Sequence, residues 1–133
     1  MKSEAFFLTN YGEAKQAFQL QAFELESLSS SEVLIEVEAF GLNYADVMAR
    51  NKLYREAPPL PCVLGYEVVG RIIQVGNTSS NELIGKRVLA FCRFGGYAKH
   101  VKVPNYAFVE IELALFQRTF FNQTTTDTKS RHR

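Results

Sequence analysis

Between Ala5 and Val103 every apolar run is cut by glycine, proline or a cluster of small polar residues before a helix of ordinary length can complete. That punctuation commits most of the chain to short strands joined by turns. The clearest run is Val33-Leu34-Ile35-Glu36-Val37-Glu38-Ala39-Phe40. Val33, Ile35, Val37 and Ala39 fall on one face and Glu36 and Glu38 on the other, the pattern of a half-buried strand. Ala5–Leu8, Phe18–Leu25, Val68–Val75, Arg87–Phe91 and Tyr97–Val103 read as further strands. Thr9–Gly12, Ser27–Ser31, Gly76–Asn81 and Gly95-Gly96 read as the turns and loops between them. Pro58, Pro59 and Pro61 make their stretch an extended loop, because proline blocks both helix and ladder. One helix interrupts the series. Asn43 is suited to cap it, and Asp46 favours the positive end of its dipole. Tyr44, Val47 and Met48 share one face, so the helix spans Tyr44–Arg50. Many short strands with frequent turns indicate a β-barrel or sandwich, and no internal repeat is present.

The 133 residues suit one domain, with 47% hydrophobic and 22% charged residues, enough to build a core. A net charge of +1 leaves no electrostatic footprint for a phosphate backbone, so a nucleic-acid partner is not expected. Cys62 and Cys92 form neither a CxxC pair nor a disulfide framework, and read as buried thiols in a reducing compartment. No segment approaches the ~20 apolar residues of a membrane span, and the first residues lack a signal peptide's apolar region. A cytoplasmic protein without a membrane partner is the expectation. Glu112–Phe121 has the composition of a weak helix. Asn122–Arg133, Thr-rich and then basic, reads as a disordered tail.

The common site motifs are missing: there is no GxGxxG, no Walker-type phosphate loop, no HExxH and no GxSxG. What stands out is a pair of blocks, Gly41-Leu42-Asn43-Tyr44-Ala45-Asp46 and Gly65-Tyr66-Glu67-Val68-Val69-Gly70, the second running on to Val75-Gly76. They are followed by Gly85-Lys86-Arg87-Val88 and Gly95-Gly96-Tyr97-Ala98. Together these resemble the N-terminal GroES-like domain of the medium-chain dehydrogenase/reductase superfamily, in its zinc-free quinone oxidoreductase branch. That branch shows G-x-N-[FY]-x-D, then G-x-E-x-x-G and V-G. Lys86 replaces the usual acid of a G-D-R-V block. The resemblance covers Lys2 to Phe108. It implies a mainly β, α+β fold, a GroES-like partly open β-barrel with short helices, over residues 1–108, with residues 109–133 a divergent tail.

The resemblance also implies a site. Asn43, Asp46 and Tyr54 would face the cleft as catalytic residues. Asn43, Tyr44 and Tyr66 would contact the cofactor, NADPH in the full-length family. The chemistry would be hydride transfer to a quinone or enone, where a donor near the developing oxyanion lowers the barrier. Met48 stands where some relatives carry tyrosine. The residues also have plainer readings: Asn43 as a helix cap, Asp46 as a dipole partner, Tyr54 as loop packing, Tyr66 as pocket wall or core, and Glu67 as a structural acid bonded to nearby backbone. Zinc-dependent members carry Cys and His where Asn43 and Tyr66 stand here, and an amide and a phenol are poor zinc ligands, so no metal is expected. The family's following Rossmann domain supplies the phosphate loop. The 133 residues carry none, so tight NADPH binding and reductase activity are not expected of them alone. Exposed apolar surface would then favour self-association or pairing with a full-length relative. A non-enzymatic interaction module and a non-functional truncated product are the alternatives.

Overall fold

The computed structural model describes residues 1–111. The first half runs β1 (Lys2–Leu8), α1 (Ala14–Ala17), β2 (Phe18–Glu24), β3 (Glu32–Phe40) and α2 (Tyr44–Arg50). The second half runs β4 (Cys62–Val63), β5 (Glu67–Val75), a 3₁₀ turn (Asn81–Leu83), β6 (Arg87–Phe91), β7 (His100–Pro104) and β8 (Phe108–Glu110). All pairing is antiparallel. A five-stranded sheet has the order β7-β3-β5-β6-β8 and a three-stranded sheet the order β2-β1-β4. The architecture is mainly β with short helices, as the motifs imply.

The strands close on themselves through residues 97–99. Phe6 N–H donates to the Tyr97 carbonyl at 2.8 Å, and Lys99 N–H donates to the Glu4 carbonyl at 2.9 Å. Lys99 Nζ also meets Glu4 Oε1 at 2.8 Å, and Ser3 Oγ lies 2.8 Å from His100 Nδ1. Two cores result. Val33, Ile35, Val68, Ile72, Val88 and Val103 fill the inner face of the larger sheet, with Ala90 and Val101 beside them. Nearly all are β-branched, as a pleated, buried surface selects. Leu8, Ala17, Ala49, Cys62, Leu64 and Tyr97 form a second core under α2.

The described structure departs from the periodic reading at several points. Register shifts between Leu34/Ile35 and Val37/Ala39 break the alternation of β3, so Ala39 is exposed instead of facing the core with Val33 and Ile35. A bulge bends its strand and re-aims the side chains beyond it. The helix over Tyr44–Arg50 has its expected bounds, but its buried residues are Asp46 and Ala49, while Tyr44 and Val47 are exposed. The short elements α1 and β8 carry too few residues for a periodic signal. β8 continues past Phe108, with Val109 opposite Leu89 and Glu110 opposite Val88. The weak helix and tail expected from Glu112 onward lie outside the described residues.

Candidate functional site

The motif blocks meet at Asp46. Asn43, in extended backbone (φ −122°, ψ 152°), ends the run from β3 and is the N-cap of α2, with Asp46 the N3 residue of a capping box. The Asn43 N–H donates to Asp46 Oδ2 at 3.1 Å. The Gly65 N–H donates to Asp46 Oδ1 at 3.3 Å, and the Tyr97 hydroxyl donates to Oδ2 at 2.8 Å. One carboxylate, 5% exposed, thus ties together the G-x-N-Y-x-D block, the G-Y-E block and the G-G-Y-A block. A buried charge is tolerable only when bonded in this way. The Tyr97 phenol is pushed well above its ordinary range, by burial first and then by its bond to Asp46, so it stays a neutral donor.

Two glycines make this convergence possible. Gly65 adopts φ +108°, and a Cβ there would lie 2.7 Å from Tyr97 Cδ1 and 2.8 Å from the Tyr97 backbone nitrogen. At Gly41 a Cβ would strike the Glu67 carboxylate. The Gly41 N–H donates to the Glu67 carbonyl at 3.0 Å, so the first two blocks lie side by side. Glu67 therefore serves through its main chain and its bulk. Among the described residues the backbone N–H groups that donate to side chains donate to Glu32, Asp46 and Ser80, and none donates to the Glu67 carboxylate, unlike the structural acid expected from sequence.

Asn43 and Asp46 line a cavity of about 250 Å³ together with Arg50, Tyr97, Phe18 and Leu42. Asn43 Nδ2 and Arg50 Nε are buried without a partner among the described residues. Tyr54 and Tyr66 lie together and are not among the residues lining that cavity. Their ring centroids are 6.4 Å apart, and Phe94 lies 5.6 Å from Tyr66 on the next step of the same cluster. Tyr66 Oη is also buried and unpartnered. Burial, then the neighbouring Tyr54 phenol and the Asp46 and Glu56 carboxylates, push Tyr66 well above its ordinary range, so it is a neutral phenol. Tyr54 is half-buried against the second core. Tyr44, 78% exposed, belongs to neither group. The structure therefore brings Asn43 to Asp46, and Tyr54 to Tyr66, and leaves Tyr44 on the outer face of α2.

Two residues at this site were not singled out from the sequence. Tyr97 lies in a block noted only as a family signature, and Arg50 stands four residues after Asp46 on α2, a spacing that puts both on one face. Among the described residues no group of His, Cys, Asp and Glu side chains is arranged to hold a metal ion. No helix of the described residues is long and apolar enough to cross a membrane. Cys62 and Cys92 are free thiols.

The sheet order, the α2 cap and the convergence of glycine-containing blocks define an alcohol dehydrogenase GroES-like domain. The chain belongs to that family, whose profile matches residues 29–112. It is the N-terminal kind of domain found in medium-chain dehydrogenases/reductases, on the quinone oxidoreductase-like side. It is 35% identical over 94 residues to the quinone oxidoreductase-like protein 2 homolog of Nematostella vectensis, covering 70% of this chain and 26% of that protein. The structure of human synaptic vesicle membrane protein VAT-1 homolog-like protein superposes with a TM-score of 0.78 at 28% identity, over 84% of this chain and 36% of that one. A candidate NADPH:quinone reductase from Bacillus thuringiensis gives 0.77 at 30% identity, over 84% of this chain and 34% of that one. The chain thus spans about a quarter of the Nematostella vectensis protein's length.

Proposed function

We propose that this domain is the substrate half of an NADPH-dependent, zinc-independent quinone or enone oxidoreductase. The observation that carries the reading is the pair of buried donors without partners, Asn43 Nδ2 and Tyr66 Oη, both in the motif blocks. A buried donor left unpaired costs about 1–3 kcal/mol, which a ligand oxygen would return. In this reading Asn43 and Tyr66 hold nicotinamide and substrate oxygens, Tyr54 lines the cleft and Tyr44 meets the cofactor from the outer face of α2. Asp46 is bonded on both oxygens, and acts by fixing Asn43 and the Gly65 turn. NADPH, when bound, supplies the hydride; the chain's part is to position the acceptor carbonyl and stabilise its developing charge. The donors present, an amide and a neutral phenol, do not suit zinc. The 133 residues carry no glycine-rich phosphate loop, so alone they neither hold NADPH tightly nor turn over.

The test is a chimera in which residues 1–108 replace the corresponding domain of the Bacillus thuringiensis protein. NADPH-dependent quinone reduction without added zinc, reduced tenfold or more by Asn43→Ala, is the expected result. A folded chimera that binds NADPH but reduces neither quinone nor enone would overturn the reading, as would turnover by the 133-residue chain alone.

A further inference from the structure

Asn43, Asp46, Val47 and Arg50 stand at i, i+3, i+4 and i+7, so one side of α2 presents all four. All four line the cavity of about 250 Å³, to which Phe18, Leu42 and Tyr97 add apolar surface. The Gly12 N–H donates to the Arg50 carbonyl at 2.8 Å, which ties the end of α2 to the turn before α1.

The polar groups of this cavity are unbalanced. The Asp46 carboxylate is already engaged, because the Asn43 N–H, the Gly65 N–H and the Tyr97 hydroxyl donate to its two oxygens. Arg50 does not share it, and no ion pair among the described residues includes Arg50. Two donors remain, Asn43 Nδ2 and Arg50 Nε, both buried and both without a partner among the described residues. The unpartnered buried side-chain atoms of this cavity are thus donors only, and one of them belongs to a group that keeps its positive charge at any working pH. The complement of such a pair is an anionic acceptor.

We propose that this cavity is a carboxylate subsite, in which Arg50 and Asn43 take the acid group of an enone or quinone that carries one. The inference rests on the reading of the domain as a substrate half and adds the class of acceptor. A carboxylate suits the cavity better than a phosphate. It brings one negative charge to one guanidinium, and its two oxygens accept from both donors. A phosphate monoester brings up to two charges and three acceptor oxygens, more than one cation and one amide satisfy. The Asp46 carboxylate lines the same cavity and opposes the second charge. At about 250 Å³ the space holds the acid end of such a molecule and not the whole of it.

The test titrates the 133-residue chain with trans-cinnamate and with methyl cinnamate, alike but for the charge, by isothermal calorimetry. Cinnamate should bind at least tenfold more tightly than the ester. Arg50→Gln should abolish that preference, and Arg50→Lys, which keeps the charge, should restore part of it. An Arg50 with a structural role only would change the binding of both probes alike. Val47→Phe, at a position 40% exposed and lining the same cavity, fills the space and should weaken cinnamate binding at least tenfold. It keeps the test decisive should the Arg50 variants fail to melt cooperatively. No binding of cinnamate, equal binding of the two probes, a preference that survives Arg50→Gln, or cinnamate binding indifferent to Val47→Phe would each overturn the proposal. Inorganic phosphate binding more tightly than cinnamate would overturn the choice of carboxylate. Failure of the oxidoreductase reading is distinguishable, because it shows as a folded chimera that reduces nothing while cinnamate still binds the chain through Arg50.

Discussion

Tyr97→Phe isolates the contact on which the convergence of the three motif blocks depends. The substitution keeps the ring, which packs against Phe40 at 4.6 Å and Phe18 at 5.9 Å between centroids, and removes only the hydroxyl. The lost bond to Asp46 Oδ2, at 2.8 Å, is the shortest of the three that the carboxylate accepts; the others are 3.1 and 3.3 Å. A hydrogen bond to a buried charge contributes about 1.5–3 kcal/mol. Asp46 keeps two donors, so a loss of about 2 kcal/mol is expected. For a domain of this size that corresponds to a fall of about 8 °C in melting temperature. Urea denaturation at neutral pH followed by circular dichroism measures it. The same residue predicts a pH dependence. Its folded pKa is raised above the ordinary tyrosine value of about 10. Above pH ~10 the unfolded chain releases this proton while the folded chain retains it. Stability from Tyr97 is therefore complete below pH 10 and falls as pH rises beyond it. Wild type should lose stability faster than Tyr97→Phe in that window. A variant within about 0.5 kcal/mol of wild type at neutral pH, or parallel alkaline profiles, would refute the assignment.

Two further outcomes follow from the same region. Gly65→Ala should cost about 3 kcal/mol or more, because φ +108° is strained for alanine and the new Cβ meets Tyr97 and Gly96 backbone atoms at 2.8 and 2.9 Å; a urea midpoint near that of wild type would count against the close approach of these turns. Cys92 is pushed up to about 11 by burial, and its thiol donates to the Gly65 carbonyl at 3.2 Å. Alkylation at pH 8 should therefore run on the order of a hundredfold slower than for an unhindered thiol, since only the thiolate reacts; labelling at the rate of free cysteine would contradict it.

The elements legible in the sequence are those whose residues carry their own period. Val33–Phe40 and Val68–Val75 announce strands by β-branching and alternation, and Asn43 with Asp46 marks the start of α2 so clearly that its bounds match. The site was legible only in part. Asn43 and Asp46 were identified, and they do meet, but the donor that completes the Asp46 shell comes from Tyr97, a residue that stood in the sequence only as part of a glycine-rich signature. Tyr44 belongs to the same block yet lies on the outside, because block membership says nothing of which way a helix is rolled.

Sequence by itself determined the short-strand architecture, the capped helix after β3 and the family, since these rest on local backbone preferences and on residue types at fixed spacing. Tertiary structure alone decided which face of α2 is buried, where β3 bulges and what Asp46 binds. Two of the three donors to Asp46 come from 19 and 51 residues away, and those approach it only once residues 97–99 join the two sheets. Periodicity specifies that a face exists. Burial is settled by what closes over it, and the two positions where glycine admits that closure, Gly41 and Gly65, acquire their meaning only from the Glu67 and Tyr97 atoms packed against them.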